Sequence, residues 1–381
     1  MKGRSIADHI RYIDDILNLT VKQKINGMLV SLDYEKAFDS INKNSIIAAM
    51  KSFGFGQYFI KCIETMMSSS ESCVQNGGWL STFFQTIRGV KQGCCASPLL
   101  FLIIAEVMAI KIRQSDTIQG IELKLNNIVT PQAKILQYCD DTTLIIKSLD
   151  DLIKAIQVID EFYYISGLKL NKEKSMGFWI GESRNNEEVP TIISWKNKHE
   201  YIKILGIFFN PVIEASNIDL NWLQKIDKAK SIIKQLEKRK VSIFGRILLC
   251  KTYVHSLFAY VLQALSLPKK VLDEIDSLCF KFIWKSNSNS KKVIEKIKRS
   301  VMSLDIEDGG ASMIKLHDQQ TLFNLKWLKR TVFTKKSLLN STGISDIYLS
   351  WYGKDDYFLD FSCTVDNLFF LSITQDSGKM F

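Results

Sequence analysis

The chain has 381 residues, enough for two or three domains at roughly 150 residues each. Apolar residues make up 46% and charged residues 24%, average globular usage that excludes a disordered or collagen-like polymer. The clean apolar run Leu99 to Ala105 stops at Glu106, far short of the roughly 18 residues of a bilayer span, so no membrane association is expected.

The first twenty residues mix charge with apolar positions and lack the h-region and small-residue cleavage site of a secretory leader. Eight cysteines occur without any C-x-x-C, and the four histidines stand near none of them at ligand spacing. Reduced thiols, an intracellular location and no structural zinc are expected. The net charge of +10 is uneven: about +2 over residues 1–210, about +8 over 211–381, and about +14 within 221–340 alone. That last stretch suits a phosphate backbone, because neutralising phosphates releases counterions; a solvated helical face is the alternative.

In chain order, residues 5–20 read as an amphipathic helix, followed by an apolar strand, MLVSLD, that ends at Asp33. One helix is predicted from Lys36 to Phe53, closed by Gly54, and a second over 56–68. The alternating segment 71–89 carries Asn76-Gly77-Gly78, a strong hairpin signal. Ser97-Pro98 opens an apolar helix to Arg113, with Pro suited to the first turn. Residues 119–147 read as short strands, the last pair joined at Asp140 and Asp141. A helix over Leu149–Ile165 ends at Gly167, and strands near 174–181 and 201–209 flank the polar loop GESRNNEEVP. From 219 onward the pattern is mainly helical, punctuated by Gly245, Pro268 and Asn287 to Ser290. This order predicts an α+β domain followed by a helical one.

Paired aspartates occur four times, at 14-15, 140-141, 150-151 and 355-356. Only 140-141 is enclosed by apolar stretches, AKILQYCDDTTLII, which put both acids at a tight turn between buried strands. Asp33 ends another apolar strand, so three carboxylates converge at one end of a small sheet. Such a cluster takes up protons unless cations neutralise it, and hard oxygen ligands suit Mg²⁺ or Mn²⁺. Two ions roughly 3.5–4 Å apart serve in-line phosphoryl transfer by activating the attacking oxygen and stabilising the leaving one.

The ordered set SLDYEKAFDS, RGVKQGCCASPLLF, LQYCDDTTLI, SGLKLNKEKS and YIKILGIFF resembles the successive palm motifs of a reverse transcriptase, specifically that of non-LTR (LINE-type) retrotransposons. GRSIADHIRYIDDIL resembles the end of that family's fingers, and NWLQKIDKAK, FGRILLCKTYV, FIWKS and IEDGGASM its thumb and following region. The resemblance implies an α+β polymerase palm, a ferredoxin-like antiparallel sheet with helices, over residues 29–210. A partial fingers segment (1–28) precedes it, a basic, mainly α-helical thumb (211–340) follows, and the acidic, aromatic tail 341–381 has no readable role. A group II intron maturase or a retroviral enzyme is the near competitor; SGLKLNKEKS and FGRILL favour the LINE type.

The resemblance further implies an RNA-directed DNA polymerase that takes an RNA template, a DNA primer and dNTPs in the nucleus or cytoplasm of a eukaryotic host. It implies two Mg²⁺ (or Mn²⁺) ions on Asp33, Asp140 and Asp141, with the Tyr34 carbonyl assisting. Phe38 and Ala37 would line the incoming nucleotide, the Phe38 ring excluding a 2′-hydroxyl. Gln92, Gly93 and Arg4 would border the nucleotide, Lys174 would protonate the leaving pyrophosphate, and Leu205 and Gly206 would hold the primer end. By residue type alone Phe38 also reads as a core ring, Gly93 as a loop-to-helix turn and Lys174 as a surface lysine. Cys139 stands where the family usually has Ala, and Cys95-Ala96 where Pro is usual, which removes a rigid φ constraint. Met1 falling within the fingers suggests a shortened reading frame with no nuclease domain before it, and a silent or co-opted remnant that still binds RNA is the alternative function.

Overall fold

A computed structural model describes residues 5–68, 70–125, 128–129, 131–285 and 295–333. The chain divides into two compact units, one built from residues up to 124 together with 131–221, the other chiefly from Trp222 onward.

The first unit is mixed α/β. Helix α1 (Ile6–Lys22) starts at Ser5, whose side chain accepts the Ala7 amide while Asp8 reaches back to the Ser5 amide, a capping box. Strand β1 (Asn26–Leu32) is apolar nearly throughout, as a strand covered on both faces must be. The other sheet strands are β2 (Ile135–Tyr138), β3 (Asp141–Ile146), β4 (Met176–Gly181) and β5 (Ser194–Trp195), in the spatial order β5-β4-β1-β3-β2. All neighbours are antiparallel except β4 and β5.

Met28, Val30 and Leu32 alternate onto one face of β1. There they join a core with helices α2 (Lys43–Ser52), α3 (Ser97–Gln114) and α4 (Leu149–Ser166), through Ile46, Phe101, Ile104, Met108, Ala155 and Ile159. α1 lies against β4 and β2, and its buried residues, Ile10, Ile13 and Ile16 among them, are absent from that core cluster. They cover the opposite face, so the sheet is a middle layer.

The predicted single helix over Lys36–Phe53 is two pieces, Ala37–Ser40 and α2. Ile41 turns extended, at φ −58° and ψ 135°, and Asn42 caps α2 by accepting the Asn44 amide at 3.0 Å. The cause is tertiary. The Asn42 amide donates to the Ser166 carbonyl (2.7 Å) at the end of α4. Gly167, at φ 81°, passes so close that a Cβ there would lie 2.4 Å from the Ser40 carbonyl oxygen. The 71–89 segment forms the expected hairpin, with Gly77 and Gly78 both at positive φ between the pairs Gln75–Leu80 and Asn76–Trp79. The reading of 201–209 as one strand resolves into two, Ile202–Ile204 and Ile207–Phe209, paired antiparallel.

Asp14 on α1 accepts the Ala215 amide at 3.2 Å. Burial, opposed by that hydrogen bond and by Arg11 and reinforced by Glu214, raises its pKa to about 6. A carboxyl that holds its proton more tightly when folded costs stability above pH 6 and returns it as pH falls through 6 towards 4. Two pKa units correspond to about 3 kcal/mol. Asp14→Asn, which keeps an acceptor for Ala215, is expected to raise the melting temperature at pH 7.5. The gain should shrink towards zero at pH 4.5, as read from thermal melts across that range.

The second unit is helical. Leu220–Leu236, Ile243–Leu249, Ser256–Leu262, Lys269–Trp284 and Leu316–Phe333 are α-helices, and a π-helix, Cys250–His255, joins the second to the third. Val254, Phe258, Val261, Ile275, Cys279 and Ile283 are fully buried. Arg246 is buried too: its guanidinium donates to the carbonyls of Phe282 (3.3 Å), Ile283 (3.1 Å) and Val241 (3.2 Å). It satisfies a helix end rather than facing solvent. Among the described residues no helix is long and apolar enough to cross a membrane. The Asn287 to Ser290 break and the 341–381 tail lie outside the described residues.

Candidate active site

The acids are assembled by strand register. Leu32 on β1 pairs with Thr142 on β3, so in an antiparallel ladder the next residue, Asp33, stands level with Asp141. Tyr138 pairs with Asp141, which leaves Cys139 and Asp140 as the two-residue tip of the β2–β3 hairpin. Cys139 takes φ 55°, a conformation that favours glycine and costs a side-chain-bearing residue about 1–2 kcal/mol. That tight tip sets Asp140 and Asp141 side by side at the end of the strand pair.

The backbone around Asp33 is clamped. Its amide donates to the Ser175 hydroxyl (3.1 Å) and its carbonyl accepts the Asn171 amide (2.8 Å). Tyr34 bridges Leu170, with the Glu35 amide donating to the Lys169 carbonyl (2.9 Å). Since that bridge uses the groups on either side of Tyr34, its own carbonyl faces away from Leu170, towards the side where β3 runs. The Tyr34 ring is core: buried, with its hydroxyl donating to the Met108 sulfur at 3.3 Å. Asn171 and Ser175, which hold the Asp33 backbone, both lie within the motif SGLKLNKEKS, where no local signal marks them.

All three carboxylates are open to solvent. Among the described residues no Lys, Arg or His forms an ion pair with any of them, and no three His, Cys, Asp or Glu side chains are already drawn into a metal cage. Partial burial raises the pKa of Asp141, and the charges of Asp140 and Asp33 raise it further. That is the signature of clustered negative charge without a counter-ion. An all-oxygen, anionic donor set of this kind fits a hard divalent cation such as Mg²⁺ or Mn²⁺.

Beside this end of the sheet, Lys36 at φ 47° turns the chain into the short Ala37–Ser40 helix. Ala37 is buried, while Phe38 is half-buried and stacks on Phe101 with ring centres 4.7 Å apart. The segment leading to α3 is tied to this helix: Gly89 donates to the Ile41 carbonyl (2.7 Å) and Val90 to the Phe38 carbonyl (2.8 Å). Gly89, at φ 84°, permits the approach, since a Cβ there would meet the Asp39 carbonyl oxygen at 2.7 Å. Gln92 then reaches the Asp39 carboxylate at 3.2 and 3.3 Å. Phe38, Asp39 and Gln92 are thereby brought together, and Gly93, at φ 84°, has open space where a side chain would stand.

Lys174 and its neighbour Lys172 differ in their surroundings. Lys172 is engaged by Asp160 at 2.8 Å, whereas Lys174 is exposed, with its amide donating to the Asn171 side chain at 3.1 Å. Leu205 (φ 49°) and Gly206 (φ 79°) are the two positive-φ residues of the 202–209 hairpin turn. Asn221 braces this hairpin by accepting the Phe208 amide (2.8 Å) and donating to its carbonyl (3.0 Å). Arg4 lies outside the described residues. In the helical unit Lys228, Lys234, Lys238, Arg239 and Lys240 are exposed, while Lys230 is paired with Glu274 and Arg299 with Glu295 and Asp276.

Residues 1–209 match the family model described as reverse transcriptase (RNA-dependent DNA polymerase), and the chain belongs to that family. It is similar to the transposon TX1 uncharacterized 149 kDa protein of Xenopus laevis, 27% identical over 91% of this chain and 26% of that protein. It is also similar to the retrovirus-related Pol polyprotein from type-2 retrotransposable element R2DM of Drosophila melanogaster, 27% identical over 53% of this chain and 19% of that protein. The chain thus spans about a quarter or less of these relatives. Among solved structures, apo telomerase from Candida tropicalis aligns with 89% of this chain and 56% of its own at 14% identity and a TM-score of 0.45, too loose a likeness to carry a conclusion.

Proposed function

We propose that the chain is an RNA-directed DNA polymerase of a LINE-type retrotransposon, adding dNMP to a primer 3′-hydroxyl on an RNA template. The observation that carries this reading is the register that sets Asp33 level with Asp141 beside the Asp140 tip. The family match over 1–209 and the similarity to TX1 and R2 proteins support it.

On this reading residues 29–210 are the palm, 1–28 the end of the fingers and 211–340 the thumb. Asp33, Asp140 and Asp141 would hold two divalent ions, with the Tyr34 carbonyl joining them. When bound, such ions supply a lowered pKa at the primer hydroxyl and charge neutralisation at the leaving oxygen. The primer hydroxyl loses its proton to solvent, its oxygen forms a bond to the α-phosphorus as the bond to pyrophosphate breaks, and Lys174 gives its proton to the departing pyrophosphate. Leu205 and Gly206 present backbone to the primer end. The exposed Lys228, Lys234, Lys238 and Lys240, followed along the chain by the exposed Phe244, Leu248 and Tyr253, offer phosphates a positive charge and sugars an apolar track.

The test is extension of a DNA primer on an RNA template by the purified chain with dNTPs and Mg²⁺ or Mn²⁺, and absence of any product dependent on Asp140 would reject the reading. Phe38, held by its stack on Phe101, is the gate against a 2′-hydroxyl. Phe38→Val is expected to raise the ratio of rNTP to dNTP incorporation by about 10- to 100-fold, measured by direct competition. An unchanged ratio would return Phe38 to the core.

A further inference from the structure

At the outer edge of the sheet, on strands β4 and β5 and the loop after β4, lies a cavity of about 360 Å³. This size falls within the range of small-ligand sites. β4 is two strands away from β3, which carries Asp141, so nothing in the polymerase reading uses this cavity.

Its wall is a fixed indole. Trp195 packs over Gly177, where a Cβ would lie 2.5 Å from the ring. Its edge meets Trp179 with centres 5.3 Å apart and planes at 67°, and Trp179 is itself anchored by donating to the Glu188 carbonyl at 2.8 Å. Trp195 remains half-exposed, a pinned aromatic surface on the lining of an open cavity.

The polar lining is rich in donors. The Asn185 side-chain oxygen accepts the Lys198 ammonium (3.1 Å), that of Asn186 the Glu188 amide (3.0 Å) and that of Asn197 the His199 amide (2.9 Å). Each partner is a donor only, which fixes the oxygen of each amide and leaves its NH₂ group for a ligand acceptor. Arg184 also lines the cavity and forms no ion pair among the described residues. Of the two acids present, Glu200 is neutralised by Lys196 at 3.1 Å and accepts the Asn197 amide at 3.0 Å; Glu187 is exposed.

We propose that this cavity binds a nucleotide, with the base against Trp195 and the phosphate among Arg184, Lys198 and the asparagine NH₂ groups. An aromatic wall beside cations and amide donors matches a flat, acceptor-rich, anionic ligand, and base-on-indole stacking tolerates any base. The nucleotide is either free or one unit of a single RNA strand.

The test uses the full chain in EDTA, without primer, so that the acidic site has no cation with which to hold a phosphate. Adenosine monophosphate is expected to quench tryptophan emission saturably, with matching equilibrium dialysis. Adenosine alone and inorganic phosphate alone should each bind at least tenfold more weakly. Arg184→Ala should weaken the binding about tenfold or more. Asn186→Asp, which places a carboxylate against the phosphate and touches no core residue, should do the same while leaving the circular dichroism and melting temperature unchanged. Hexaadenylate binding tighter than the monophosphate, with the excess lost in Arg184→Ala, identifies an RNA strand as the source; equal affinities identify free nucleotide. No saturable binding of either probe, or binding untouched by both substitutions, overturns the proposal.

Discussion

Asp140→Asn is expected to lower RNA-templated primer extension by at least about 10³-fold while leaving salt-sensitive RNA binding intact. Replacing one carboxylate of the trio removes a charge from a donor set with which, among the described residues, no basic side chain forms an ion pair. The charge stabilisation supplied through such ligands is worth several kcal/mol, and each 1.36 kcal/mol is about a factor of ten in rate. Stability should hardly change: Asp140 is exposed at a hairpin tip, a turn position that Asn accepts readily, and the substitution also relieves repulsion from Asp141. Single-turnover extension, a filter-binding salt titration and a thermal melt read the three quantities separately. Extension within tenfold of the original chain would show that the three acids are not the catalytic set.

Gly181→Ala is expected to cost about 3 kcal/mol or more, the largest loss of stability from adding a single methyl group to the sheet. Gly181 closes β4 opposite Asn26, at φ 64°. A Cβ there would lie 1.8 Å from the Ile25 carbonyl oxygen and 3.2 Å from the Thr20 Cβ. Neither neighbour can move cheaply. The Ile25 carbonyl accepts the Glu182 amide, the Ile25 amide donates to Thr20, and buried Thr20 is held by the carbonyls of Ile16 and Leu17. Gly54→Ala is the matched control, because Gly54 shares the positive φ (76°) yet has nothing within 4 Å; only the conformational cost of about 1–2 kcal/mol remains. Urea melts that give equal losses for the two variants would remove close approach as the cause.

The residues that build the acidic end were readable because their signals are local. The apolar run into Asp33, the apolar flanks of Cys139-Asp140-Asp141 and the Asn76-Gly77-Gly78 turn each announce themselves within about ten residues, and strand alternation and turn chemistry act over that range. The break at Asn42 gave no such signal, since it depends on Ser166 and Gly167, more than a hundred residues away. Strand β5 carries no local signal for a related reason: a two-residue parallel strand is defined by its partner, Met176–Gly177, and not by its own pattern. Arg246 lies within the basic 221–340 stretch, yet it is an internal donor to three carbonyls.

By itself, then, the amino-acid order carried the motif resemblance that points to the family, and it determined the alternation of helix and strand and which carboxylates lie at strand ends, because these last two follow from residue type and near-neighbour spacing. Only the tertiary structure decided that Asp33 stands level with Asp141, that Gln92 meets Asp39 beside Phe38, that Lys172 is spent on Asp160 while Lys174 is exposed, and that Trp195 walls a cavity across the sheet. Each of these is a pairing between segments whose separation is bridged by cooperative packing of the whole sheet, and no local propensity encodes such a pairing.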